Sequence, residues 1–230
     1  MPGAGHGRRN SRWEQAAVLL VALSFVAGCA RRPAYRVPVP STVPPSQPGW
    51  SQEGIASWYG VPFYGRRAAD GEIYDMYKMV AAHRTLPFNS LVRVTDLQNG
   101  RQVTVRIIDR GPFVKNRIID LSFGAARALG MIGPGVAPVR LQLVSGQNPE
   151  QGEFTVQVGA FAVHANALRL QKRLGERYGP VFIQNYDSPH GLLYRVRVGE
   201  VPSVAAARRL AAKLRGRQGF RVTYVVRLDR

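Results

Sequence analysis

The sequence predicts a mainly β domain of small-barrel type, followed by an α+β domain with the order βαββαβ. Three observations predict this. Short alternating strands separated by turn residues fill residues 53–145, with only one clear helix among them. A polar break, QNPEQG, lies inside residues 146–152. Beyond it the chain repeats itself: Val156-Gln157-Val158-Gly159 is echoed by Val196-Arg197-Val198-Gly199, and a helix-forming run follows each copy.

Taken in order, the chain starts with an address. Arg8, Arg9 and Arg12 precede the apolar run Ala16–Gly28, which is too short for a stable membrane span and fits the apolar core of a signal peptide. The run ends at Val26-Ala27-Gly28-Cys29, which resembles a bacterial lipobox, with the single cysteine as the acylated residue. Residues 1–28 are therefore expected to be cleaved, leaving a lipid anchor on Cys29. Ala30, rather than Asp, after that cysteine matches the pattern for sorting to the outer membrane of a Gram-negative cell. With one cysteine, no intramolecular disulfide forms. Residues 29–52 hold Pro33, Pro38, Pro40, Pro44, Pro45 and Pro48 and read as an extended tether.

In the first domain, strands are expected at Gly54–Tyr59, Met79–Ala82, Leu91–Thr95, Gln102–Ile108 and Pro138–Val144, with Asn99-Gly100 as a hairpin turn. A helix is expected over Leu121–Leu129, capped by Asp120 or Ser122 and stopped by Gly130. In the second domain, residues 153–229, helices are expected at Ala165–Tyr178 and Val204–Arg215, with further strands at Val181–Tyr186 and Arg221–Val226.

One stretch organises the chemistry. The strand Val103–Ile108 runs into Asp109-Arg110-Gly111-Pro112, where Gly and Pro impose a turn. A carboxylate at such a strand end is held by the fold and open to solvent, which suits a catalytic acid; it equally suits a turn residue bonded to its own backbone. The charge points outward as well. The chain carries 32 basic and 14 acidic residues, a net charge of +18, and so calls for an anionic partner. Export removes most nucleic acid from that list. An RNA-binding reading of the βαββαβ domain also lacks its aromatic strand motif, since the third strand reads LLYRVRVG.

With these residues in place, the chain resembles the RlpA (rare lipoprotein A) family. The matching motifs are GIASWYG (54–60), FYGRRAADGEIYDM (63–76), AAHRTLPFNSLVRVTDLQNG (81–100) and IDRGPFVKNRIIDLS (108–122). The second domain resembles SPOR through FTVQVGAF (154–161) and LYRVRVGEV (193–201). The resemblance implies a six-stranded double-psi β-barrel followed by a SPOR domain. It also implies lytic transglycosylase activity on peptidoglycan strands lacking stem peptides, at division septa, with divisome proteins as neighbours. Neither a cofactor nor a metal is implied. Position by position, Asp109 falls on the family acid, His83 on the family histidine, and Glu72 and Asp75 on the acidic pair of GE-YDM. Ile108 stands where Asn is common.

Such an acid must start protonated, and Ile107, Ile108 and Phe113 would raise its pKa while an inward Arg110 would oppose that. Glu72 and Asp75 leave a two-carboxylate hydrolysis open. Trp58, Tyr59 and Tyr64 are candidate sugar platforms or core residues, Arg110 is a candidate substrate contact, and Asp120 is assigned to capping. On the second sheet, Gln157, Arg195 and Arg197 are expected on an open glycan-binding face. A non-catalytic, expansin-like wall binder is the alternative function.

Overall fold

The computed structural model describes residues 49–229. The signal segment, Cys29 and all but the end of the proline-rich tether lie outside the described residues. Six strands close the barrel: β1 (Ser51–Tyr59), β2 (Val80–His83), β3 (Leu91–Asp96), β4 (Gln102–Asp109), β5 (Arg117–Ser122) and β6 (Val136–Ser145). Their order is β1-β5-β2-β4-β3-β6. The pairs β1/β5 and β2/β4 are parallel and the others antiparallel.

Closure follows from the alternation. Val92, Val94, Val105, Ile107, Val139 and Leu141 point inward and are fully buried, each stabilising the barrel by roughly 1.5–3 kcal/mol. Ile108, one residue on, is 1% exposed but belongs to a second cluster with Ala68, Tyr74, Met76 and Val80. That cluster glues the long connection between β1 and β2 onto the outside of the barrel.

Two expectations are corrected here. The strand β5 was not expected, and it takes Leu121 and Ser122 from the predicted helix. Helix α1 spans Phe123–Leu129 and is capped by Ser122, whose side chain accepts from the Ala125 amide at 3.2 Å. Asp120 is therefore not the cap. It sits within β5, where its carboxylate accepts from Ser57 Oγ at 2.6 Å and Arg117 Nη2 at 3.0 Å. Gly130 ends the helix as expected, in the left-handed region at φ 83.

The second sheet has the order β10-β7-β9-β8. It is built from β7 (Gln151–Phe161), β8 (Val181–Ser188), β9 (Gly191–Ser203) and β10 (Tyr224–Arg227). Helices α2 (His164–Gly175) and α3 (Val204–Gln218) cover one face, burying Val156, Val158, Val196 and Val198 with Leu170, Leu174 and Leu214. Only residues 146–150 separate β6 from β7.

The helix-free face of this sheet is not open, contrary to expectation. Gln157, Arg195 and Arg197 are 4%, 8% and 3% exposed. The barrel covers them: Phe113 packs its ring at 5.7 Å from Tyr224 and under the Arg195 guanidinium at 4.5 Å. Arg110 grips Asp229 with two bonds of 2.7 Å, and the Arg227 amide donates to the Arg84 carbonyl at 2.9 Å.

Candidate active site

Asp109 is the last residue of β4, and its carboxylate is positioned by backbone. Oδ1 accepts from the Arg110 amide at 2.7 Å and the Ala69 amide at 3.1 Å. The Ala69 donor is itself fixed, because the neighbouring Asp70 amide donates to the Ile108 carbonyl at 3.0 Å. Ile108 thus tethers, through its side chain and its carbonyl, the loop that holds the acid. Burial pushes the Asp109 carboxyl above its usual range, against the two amide bonds and the charges of Arg195 and Arg110, which pull it down. Among the described residues it forms no ion pair. A group so placed is biased toward the protonated state that an acid needs.

The carboxylate lines a cavity of about 420 Å³ between the barrel and the second sheet. Its barrel wall includes Arg66, Arg67, Phe88 and Arg110; its other wall includes Gln184, Tyr186, Arg195 and Arg197. Tyr59 stands close by. Its ring stacks on Tyr74 at 4.3 Å and meets Phe63 edge-on at 5.7 Å. Its buried hydroxyl has no hydrogen-bond partner, and burial first, then the negative field of Asp109, raises its pKa.

The other residues singled out in the sequence do not gather here. His83 is 2% exposed and lines a separate pocket with Gln52 and Arg84. Its Nδ1 accepts from the Thr85 and Leu86 amides at 3.2 and 3.0 Å, so Nε2 carries the proton and faces Gln52 Oε1 at 3.2 Å. Burial, then Arg84 and Arg110, hold its pKa well below the ordinary value, and the ring stays neutral. Its link to the acid is indirect: its carbonyl accepts from Arg110 Nη1 at 3.0 Å.

Glu72 is clamped by Arg106 through two bonds of 2.7 Å, which hold its carboxyl below the usual range. Asp75 caps a turn by accepting from the Tyr77 amide at 2.9 Å. Neither lines the Asp109 cavity; the two other carboxylates that do, Asp187 and Asp229, are paired with Arg66 at 2.8 Å and Arg110 at 2.6 Å, so the geometry offers no second carboxylate free for a hydrolytic pair. Trp58 packs against the barrel core and meets Phe123 edge-on at 5.8 Å. Tyr64 is exposed and touches Tyr77 at 6.1 Å, away from the acid. Arg110 is inside the site, but its guanidinium is spent on Asp229, the His83 carbonyl and the Phe88 face at 3.8 Å.

Sequence reasoning missed Tyr186, Gln184, Arg66 and Asp229 as neighbours of the acid. No local signal marks them, because Arg66 arrives from the β1–β2 connection, Gln184 and Tyr186 from β8, and Asp229 from just beyond β10.

Comparison with known proteins agrees with this architecture. Residues 51–141 match the family DPBB_1, described as lytic transglycolase, and residues 150–226 match the SPOR domain. A Campylobacter jejuni protein named endolytic peptidoglycan transglycosylase RlpA is 44% identical over 151 residues, covering 54% of this chain and 55% of its own. A Pasteurella multocida protein of the same name is 38% identical over 202 residues, covering 79% of this chain and 65% of its own. The chain thus spans between half and two thirds of these relatives' lengths. Among solved structures, a Clavibacter michiganensis expansin aligns with TM-score 0.35 and 19% identity, covering 67% of this chain and 91% of its own. A double-psi barrel followed by a SPOR domain, with relatives of that name at these identities, places this chain in the RlpA family.

Proposed function

We propose that the protein is an endolytic peptidoglycan lytic transglycosylase that cuts glycan strands lacking stem peptides and leaves 1,6-anhydro-N-acetylmuramic acid ends. The observation that carries this is Asp109: one carboxyl group, biased toward protonation by burial, at the edge of a cavity where no second carboxylate stands free. Cleavage by the sugar's own C6 hydroxyl needs only such a group. The neutral acid protonates the leaving oxygen. The resulting carboxylate then accepts the C6 hydroxyl proton as that oxygen closes on C1. The nucleophile is carried by the same sugar, on its exocyclic C6, so no water has to be positioned.

Around this step the chain's residues have supporting roles. The Arg110 and Ala69 amides hold Oδ1. Tyr59 and Ile108 keep the acid's surroundings apolar. His83 acts as a positioning residue by holding the Arg110 side chain through its carbonyl. On this reading Cys29 bears the lipid anchor at the periplasmic face of the outer membrane. The basic surface retains the protein on the anionic wall, and the SPOR sheet enriches it at septa near the divisome.

The test is digestion of amidase-treated sacculi, read by mass spectrometry. The wild-type chain releases 1,6-anhydro muropeptides, and Asp109→Asn releases none while still sedimenting with the strands. Turnover retained in Asp109→Asn refutes the assigned acid. No new ends from the wild type after long incubation leaves the expansin-like wall binder as the function.

A further inference from the structure

The turn that carries the acid is also the seat of the second domain. Arg110 and Phe113 follow Asp109 closely in the chain, and both reach across. Arg110 holds Asp229 just beyond β10, and Phe113 packs on Tyr224 and under Arg195. From the β1–β2 connection, Arg66 reaches the end of β8, bonding the Asp187 carboxylate at 2.8 Å and the Ser188 carbonyl at 3.2 Å. The ion pairs Arg110–Asp229 and Arg66–Asp187 therefore bridge the Asp109 cavity from wall to wall, and all four residues line it.

The space behind these bridges is that of a small-molecule pocket. Its 420 Å³ lies near the lower end of the roughly 300–1,000 Å³ that encloses one small ligand. A strand cut within its length runs on past the acid in both directions and offers no end to thread. It has to be laid in from the side, and the bridges stand across the cleft.

The seam is also built to part. Among the described residues no apolar cluster spans it: two clusters hold only barrel residues, and the other two hold only residues from Phe154 onward. Each domain keeps its own core when the two separate. The groups facing across the seam are largely polar, and two are incompletely satisfied. Gln157 Oε1 and Arg197 Nε are buried without a hydrogen-bond partner, a cost borne by the closed arrangement. Residues 146–150, between β6 and β7, hold no strand or helix and can act as the hinge.

We propose that the second domain is an autoinhibitory cover, which in its docked position closes the Asp109 cleft to a continuous glycan strand and must swing away about residues 146–150, parting the Arg110–Asp229 and Arg66–Asp187 bridges, before a strand can be laid over the acid. The inference rests on the function proposed above and deepens it by naming how that site is regulated. Only the open fraction of the protein is then competent, so apparent affinity for strands at the acid scales with that fraction.

The experiment staples the seam shut. Arg84 and Arg227 meet across it through one main-chain bond of 2.9 Å, a neighbour relation that suits a disulfide. Arg84→Cys and Arg227→Cys are placed together in the full chain, with Cys29→Ser so that no third thiol competes. Denuded glycan strands are added to the oxidised protein and to the same protein after reduction, and the Asp109 carboxyl is followed by carbon NMR. Strands should shift that resonance in the reduced form and leave it unmoved in the oxidised one, and anhydro ends should appear about tenfold or more faster after reduction. Tyr224→Ala removes a seam contact from outside the Asp109 cavity. It should enlarge the radius of gyration in solution scattering and let strands shift the Asp109 resonance at about a tenfold lower concentration than in the wild type. Equal shifts in the oxidised and reduced forms, no shift in either, or an unchanged strand requirement in an expanded Tyr224→Ala overturns the cover. The resonance needs no turnover. A reduced chain that shows the shift yet makes no anhydro ends therefore refutes the proposed activity and leaves the cover standing.

Discussion

Asp229→Ala probes the seam between barrel and sheet. In the wild type its carboxylate accepts from Arg110 Nε and Nη2 at 2.7 Å each, and the Arg110 side chain is 5% exposed. The substitution leaves that guanidinium with the His83 carbonyl at 3.0 Å and the Phe88 ring at 3.8 Å. Removing one partner of a fully buried ion pair costs about 3–5 kcal/mol. Asp229 keeps 25% exposure, so entering water and the two surviving contacts recover part of this, and we expect a loss of about 2 kcal/mol. That is roughly a thirtyfold shift away from the packed arrangement. At about 4–8 °C per kcal/mol for a domain of this size, the second domain's transition should fall by about 8–16 °C in scanning calorimetry. Asp187→Ala is the control. Its bond to Arg66 is a rim contact with the aspartate side chain 81% exposed, and its loss should stay within about 0.5 kcal/mol. If both variants shift by the same small amount, the Arg110–Asp229 clamp does not hold the two sheets together.

Other outcomes follow from the packing. His83 is neutral in the folded chain, while in the unfolded chain it takes up a proton near its ordinary value of 6.5; protons therefore favour unfolding, and stability should fall as pH drops below about 6.5. His83→Gln should flatten that slope and cost about 2–3 kcal/mol at pH 7 by orphaning the Thr85 and Leu86 amides; thermal melts across pH read both, and an unchanged slope refutes the assignment. Gly124→Ala would ordinarily gain about 1 kcal/mol in a helix, but its Cβ would collide with the Tyr77 carbonyl oxygen, so the urea midpoint should show a net loss of about 1–3 kcal/mol; a stabilised variant contradicts the close approach. Ile108→Asn would set an amide among Ala68, Tyr74, Met76 and Val80. It should cost about 3 kcal/mol and lower turnover by loosening the Ala69 amide, with undiminished stability counting against the tethering role.

What could be read without coordinates depended on which physical signal each residue carries. Period-2 alternation marks β1, β3, β4 and β6 because one face of each is buried and the other is not. It fails for β5, where neighbouring Ile118 and Ile119 are both buried between two partner strands and a burying helix start follows at once. Alternation also groups Gln157 with Arg197 on one face, yet it is silent about what lies over that face; polar character suggested solvent, and the barrel is there instead. His83 shows a similar limit. Its motif marks a special residue, but only backbone geometry shows two amides claiming Nδ1. Asp109 was legible as a held carboxylate because Gly and Pro follow it, whereas its facing wall comes from β8 and β9, which no local pattern connects to it.

The brevity of residues 146–150 has a mechanical consequence. Five residues reach at most about 18 Å when fully stretched, so the second sheet and the barrel share a leash no longer than that. Neither can move far while the other stays put. If the protein acts as proposed, any strand held by the second domain is therefore the one offered to Asp109, at an effective concentration that free diffusion could not match.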